Sequence, residues 1–351
     1  MRITRRHFLT SASALAVSLT ARDSLCESGP ALLRFEFSEP HMGTMFKTVL
    51  YAPDQAAAAA ASRAAFDRIA ALDHIMSDYN QSSELMQLCR AAGGPAVNVS
   101  EDLYRVMSAA QELSARSHGA FDITVGPVVQ LWRRARRRHQ LPEPERLAAA
   151  LERVGYQNVR LDSKRRTAQL LKPGMLLDLG GIAKGDAADQ ALIVLKRRQI
   201  TRALVAAAGD IVVGDPPPGP IDWRIGIEAF ESPASPPSEF IGLHNGAVST
   251  SGDSEQHVEI GGVRYSHIVD PKTGMALTGR RSVTVTAPHD ITADCYATAI
   301  CVLGHERGLR LIAGTPGTAA LIMEEESSRL HQYQSRGFPE LKPTSASADA
   351  Q

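Results

Sequence analysis

The sequence predicts an α+β protein, with mixed sheets and helices packed against them. Three observations give that class. Residues 56–75 are alanine-rich and carry Phe66, Ile69, Leu72 and Ile75 as one apolar stripe, the signature of a helix laid on a core. Midway, the apolar run Leu176-Leu177-Asp178-Leu179 meets Gly180-Gly181, and Ala188, Ala191, Leu192 and Leu195 follow at i, i+3, i+4 and i+7. That order spells strand, tight turn and helix. The later chain is a series of short apolar runs broken by Pro-rich loops at 215–220 and 231–237, where strand patterns resume directly after each loop.

The chain has 351 residues, enough for one large or two ordinary domains. Lys plus Arg and Asp plus Glu both total 38, so no overall charge favours nucleic acid or an acidic membrane. Thr4-Arg5-Arg6-His7-Phe8-Leu9-Thr10 forms a twin-arginine pattern, and the weakly apolar residues 11–20 are too short and polar to span a bilayer. Residues 1–28 are therefore expected to be an export signal of the twin-arginine type, with the periplasm as destination and no transmembrane segment in the mature chain. A disordered basic terminus is the other reading. Residues 29–336 should form the folded domain, and 337–351 a small-residue, disordered tail. Cys26, Cys89, Cys295 and Cys301 lack metal-type spacing, and Cys295 and Cys301 fall on different faces of one helix, which argues against a disulfide.

In chain order, His41-Met42-Gly43-Thr44-Met45 leads into an extended run at 46–51. A glycine there can admit a planar ligand or form a bulge. Residues 76–85 form a polar turn and a capped helix start in which Tyr79 either stacks on an aromatic ligand or covers the core rim. A helix at 101–117 runs into a small-residue loop around Ala120, Phe121 and Asp122. The basic run 132–139 reads as a solvated helix end rather than a nucleic-acid site. A helix at 145–154 and a hairpin of 159–161 with 167–171 precede the central stretch.

That stretch can hold an anion. A helix start offers unpaired N–H groups, the glycines let a ligand approach the backbone, and Lys184 sits where the helix dipole disfavours a cation unless an anion lies between. Asp178, flanked by leucines, also needs a partner. The plain alternative is an ordinary crossing with a solvated lysine. Further on, residues 203–213 give two apolar runs around Gly209-Asp210, and His267 stands just before an Asp270-Pro271 turn, where it is either structural or catalytic. After a strand at 282–287, Thr292 is a candidate N-cap, and Asp294 and Thr298, at i and i+4, project two oxygens from one helix face. They suit Mg2+, or else a cap with a helix-stabilising hydroxyl. A strand at 318–323 closes the pattern.

Seven motifs in order, HMGTMF, MSDYNQSSEL, GAFDITVGP, LDLGGIAKGDAAD, GAVSTSGD, YSHIVDPKTG and ADCYATA, resemble the ApbE family, the FAD:protein FMN transferases. The resemblance implies an ApbE-like fold and Mg2+-dependent transfer of FMN from FAD, as substrate, to a Thr or Ser hydroxyl of an acceptor protein, releasing AMP. It places FAD contacts at Met42, Tyr79, Ala120, Phe121, Asp122, Asp178, Lys184 and Ile268. It places metal oxygens on Asp294, Thr298 and the carbonyls of Gly181 and Ala297, and a proton acceptor at His267. The acceptor would be a membrane-associated redox subunit. One departure is Ala208 before Gly209-Asp210, where family members carry Gly-Gly-Asp, so a methyl group stands where backbone would be close-packed. Rival readings are an FAD pyrophosphatase giving FMN and AMP, and a non-catalytic periplasmic flavin-binding accessory protein, for example in nitrous oxide respiration.

Overall fold

The computed structural model describes residues 31–228, 230, 237, 239–253, 256–327 and 329–343. The expected export signal and Cys26 lie outside them. The elements are β1 (Leu33–His41), β2 (Thr44–Ala52), α1 (Gln55–Met76), α2 (Glu84–Arg90), β3 (Val97–Asn98), α3 (Glu101–Arg116), α4 (Gly126–Arg138), α5 (Pro144–Leu151), β4 (Val159–Asp162), β5 (Thr167–Leu170) and α6 (Ala183–Arg197). There follow β6 (Ala203–Ala207), β7 (Asp210–Val213), β8 (Trp223–Ile227), β9 (Glu239–Leu243), β10 (Gly246–Gly252), β11 (His257–Ile260), β12 (Val263–Val269), β13 (Ala276–Thr278), β14 (Arg281–Ala287), α7 (Asp290–Ala313), β15 (Ala319–Glu326), β16 (Arg329–Gln334) and β17 (Lys342–Pro343).

Strand alternation builds two faces on one sheet. In β2, Phe46 and Leu50 enter the main core, whereas Val49 joins a separate cluster with Val213, Trp223, Ile241 and Leu321. The sheet has eight strands in the order β1-β2-β6-β7-β10-β14-β15-β16. Helices α1, α6 and α7 cover one face, and the small sheet β17-β9-β8 supplies Trp223, Ile225 and Ile241 to the other. A third unit sets α4 and α5 against β11-β12-β13 through Trp132, Ala135, Tyr265 and Val269, with Trp132 Nε1 donating to the Gly274 carbonyl at 2.8 Å.

The α+β class holds. Every ladder among the described residues is antiparallel, and parallel pairing is confined to the isolated bridge Val125–Leu176. Residues 337–343, expected in a disordered tail, belong to the fold: Phe338 is buried, and Lys342 and Pro343 pair with β9. Thr292 is not the N-cap, because α7 already begins at Asp290 with His289 capping. Cys89, Cys295 and Cys301 are free and buried, as core thiols should be. No helix among the described residues is long and apolar enough to cross a membrane.

The family's Gly-Gly-Asp departure has a different consequence from the one expected. Ala208 closes the two-residue turn between β6 and β7 with φ at 53°, and its methyl group is exposed rather than close-packed. The burden is left-handed backbone strain alone. Ala208→Gly should therefore raise stability by roughly 0.5–1 kcal/mol, or about 1–2 °C in melting temperature for a chain of this size, with no other change in the fold. Paired calorimetric scans of the two proteins check this.

Candidate active site

Two helix beginnings, Ala183 and Asp290, far apart in sequence, meet and cap one another. Neither α6 nor α7 has a side-chain cap from its own N-cap residue. Instead, Asp189 of α6 accepts from the N–H groups of Asp290 and Ile291, both at 3.0 Å, and Asp294 Oδ2 of α7 accepts from Gly185 N at 3.2 Å. Reciprocal carboxylates thus satisfy donors that a helix start leaves open. Glycine makes the approach possible. A Cβ on Gly185 would lie 2.4 Å from the Asp290 carbonyl oxygen, and one on Gly181 would lie 2.9 Å from Thr298 Oγ1 and 3.4 Å from Phe121 Cε2. The Gly-Gly turn is therefore pressed against Thr298 and the ring of Phe121, which brings Gly181, Thr298 and the 120s loop together.

The electrostatics of this junction are unusual. Lys184 Nζ lies 2.7 Å from Asp210 Oδ2 and 3.7 Å from Asp294 Oδ2. The anion that the sequence required near Lys184 is thus the chain's own Asp210. Burial alone would push the ammonium down, but Asp294 and Asp210 raise it well above the usual lysine range. Asp294 is pushed up to about 7, first by burial and then by repulsion from Asp210. Asp290 is raised well above the ordinary carboxylate value by burial, with Asp210, Asp189 and Asp294 adding to it. Both its carboxylate oxygens are buried without a hydrogen-bond partner among the described residues.

A second charged group adjoins the turn. Asp178 Oδ1 accepts from Gly180 N at 2.8 Å, and its Oδ2 meets Arg133 Nη2 at 2.9 Å. Arg133 also pairs with Asp78, and its guanidinium lies 4.5 Å from the centroid of the Tyr79 ring. Tyr79 is 75% exposed, so it does not cover the core and its ring is open to a stacking ligand. The basic run was expected to be a solvated helix end; Arg133, only 19% of whose side chain is exposed, and the partly buried Arg136 correct this. Burial raises the Asp78 carboxyl, and the neighbouring Asp178 raises it further. Arg133→Ala would strand two largely buried carboxylates face to face, and should destabilise the fold by about 2–3 kcal/mol in urea titrations.

The remaining residues fall as follows. Met42 lies in the β1–β2 turn, its N–H donating to Asp73 Oδ2 at 2.9 Å. Ala120 and Phe121 are buried. Asp122 is engaged on both oxygens, Oδ1 by Thr124 and Oδ2 by Tyr156 N at 2.8 Å, so its side chain shapes the loop. Ala297 is buried one residue before Thr298, and Ile268 is buried in β12. His267 Nδ1 lies 3.1 Å from the Gln256 carbonyl. Because a carbonyl only accepts, Nδ1 carries the hydrogen and Nε2 keeps its lone pair. Burial holds this imidazole below the usual histidine value, and Arg136 and Lys184 oppose its charge further, which places it within electrostatic reach of the junction. Sequence reasoning assigned no site role to Arg133, Asp78, Asp189, Asp210 or Asp290. For Arg133 a signal existed: Val128, Trp132 and Ala135 at i, i+4 and i+7 mark a buried stripe inside the basic run, and Arg133 flanks it.

The fold is that of bacterial flavin transferases of known structure. The flavin transferase ApbE of Vibrio cholerae superposes with a TM-score of 0.78 at 29% identity, covering 88% of this chain and 98% of that one. The ApbE protein of Thermotoga maritima gives 0.76 at 30% identity, covering 87% and 97%. Among curated relatives, the FAD:protein FMN transferases of Treponema pallidum and Haemophilus influenzae are each 32% identical, over 85% of this chain and 86% of the first, and 86% of this chain and 88% of the second. The model of the ApbE family matches residues 42–322, and the chain belongs to that family.

Proposed function

We propose that this protein transfers FMN from FAD to a Thr or Ser hydroxyl of an acceptor protein, in a Mg2+-dependent reaction that releases AMP. The observation that carries the proposal is the reciprocal capping of α6 and α7, which gathers Gly181, Lys184, Asp294 and Thr298 at one junction. The residues fit a hard dication. Asp210, Asp290 and Asp294 outnumber Lys184 there, and Asp290 keeps two buried, unbonded oxygens among the described residues. Asp294, Thr298 and the carbonyls of Gly181 and Ala297 would hold Mg2+, which when bound neutralises charge developing on the pyrophosphate.

The chain's own groups do the rest. Tyr79, steadied by Arg133, offers an open ring to the flavin, and Phe121 packs against the Gly-Gly turn. Nε2 of His267 takes the proton as the acceptor oxygen bonds to the FMN phosphorus, the bond from that phosphorus to the AMP oxygen breaks, and AMP departs. The acceptor is a membrane-associated redox subunit met in the periplasm after twin-arginine export. The methyl group of Ala208 is exposed, so the crowding that would have favoured a non-catalytic flavin holder gives that reading no support.

The test incubates the purified protein with FAD, Mg2+ and a domain carrying a candidate Thr acceptor. Mass spectrometry should find an FMN phosphoester on that Thr, matched by AMP. Release of AMP and free FMN at the same rate without acceptor would instead identify a pyrophosphatase.

A further inference from the structure

We infer that the chain holds a second metal site, apart from the flavin junction: one Zn2+ bound by His305, Glu324 and Glu326. Ligand atoms of these three side chains lie within 4.8 Å of one another. The backbone builds the site. Helix α7 breaks at Gly304, where φ of 74° and ψ of 175° leave the helical region, and the break turns His305 toward β15. There its Nδ1 lies 2.9 Å from Glu324 Oε2. The imidazole is also clamped from the side by Tyr333 of β16, with ring centroids 3.9 Å apart and planes 3° from parallel.

Pleat alternation puts Glu324 and Glu326 on the same face of β15 as Ile322, which enters the core beneath α7. Glu324 is only 4% exposed, and its Oε1, ion-paired with Arg281 Nε at 2.7 Å, makes no hydrogen bond among the described residues. Glu326 is exposed at the mouth. One imidazole nitrogen and two carboxylate oxygens, one donor deep and one at the surface, form a three-ligand set with room for water. Arg281 offsets one carboxylate charge. That weakens a purely electrostatic hold on Mg2+ or Ca2+ and leaves an affinity resting on the imidazole, which selects zinc. From Asp294 the helix runs ten positions to the break at Gly304, roughly 15 Å at about 1.5 Å per residue, and His305 follows the break, so the two sites are separate. Zinc there would fasten β15 to α7 just past the break.

The experiment titrates the full chain, purified without a histidine tag and stripped with chelator, with Zn2+ in the presence of saturating Mg2+. Calorimetry should show one equivalent bound and a higher melting temperature. His305→Ala and Glu326→Gln should each weaken binding by at least about tenfold; the exposed Glu326 can change without disturbing the fold. Absence of a saturable equivalent in the wild type, or wild-type affinity in either variant, overturns the inference.

Discussion

Asp294→Ala should abolish FMN transfer, a fall of at least about a thousandfold in kcat/KM, while the protein remains folded. The carboxylate reaches from α7 to the beginning of α6: its Oδ2 accepts from Gly185 N and faces Lys184. Removing it takes away an oxygen of the proposed metal site and lets Lys184 turn wholly to Asp210. Folding should tolerate the change because the group is an uneasy one, already pushed up to about 7 by burial and by Asp210. Losing one acceptor for Gly185 N costs about 1 kcal/mol, and relief of repulsion with Asp210 and Asp290 offsets much of it. Mass spectrometry of the acceptor, AMP release and a thermal melt measure the three consequences. Transfer that persists with its Mg2+ dependence intact would refute the metal assignment, and a collapsed melt would show a structural role instead.

Much of this junction was legible because it is made of local signals. A Gly-Gly pair ahead of a 3.6-residue stripe announces turn and helix, and Asp294 with Thr298 shares a helix face by spacing alone; the strand expected at 176–179 is absent, since that run makes only the isolated bridge Val125–Leu176. The hydrophobic periods of α1 and α6 and the apolar runs of the later strands pointed to the class in the same way. What the sequence could not show is pairing between distant charges. Asp189 caps a helix that starts about a hundred residues later, and Arg133 meets Asp178 from within a run of arginines most of whose other members face water. No local pattern distinguishes the buried arginine from the four others in the run, except the apolar stripe beside it. The same reason explains Phe338 and β17: a short segment of low apolar content reads as tail until a partner strand, here β9, supplies its hydrogen bonds. Ala208 was legible as a departure but not in its meaning, since only the backbone angle and the exposed methyl separate strain from crowding.

His267→Ala should lower kcat/KM by about a hundredfold to ten-thousandfold and erase the acid limb of the pH profile. The wild-type limb should sit below the ordinary histidine value of 6.5, because burial, aided by Arg136 and Lys184, disfavours the imidazolium. The sign follows from which form works. A proton acceptor must be neutral, so activity is full above the depressed pKa and falls as pH drops through it. The hydrogen bond of Nδ1 to the Gln256 carbonyl fixes the tautomer that leaves Nε2 with its lone pair, so in the proposed reaction Nε2 is the nitrogen that would take the hydroxyl proton. The profile has to be recorded with saturating Mg2+, since Asp294, raised to about 7 in the metal-free chain, would otherwise add a limb of its own. A limb that survives unchanged in His267→Ala would assign the proton transfer to another group, whereas its disappearance together with the rate ties the chemistry to this one imidazole.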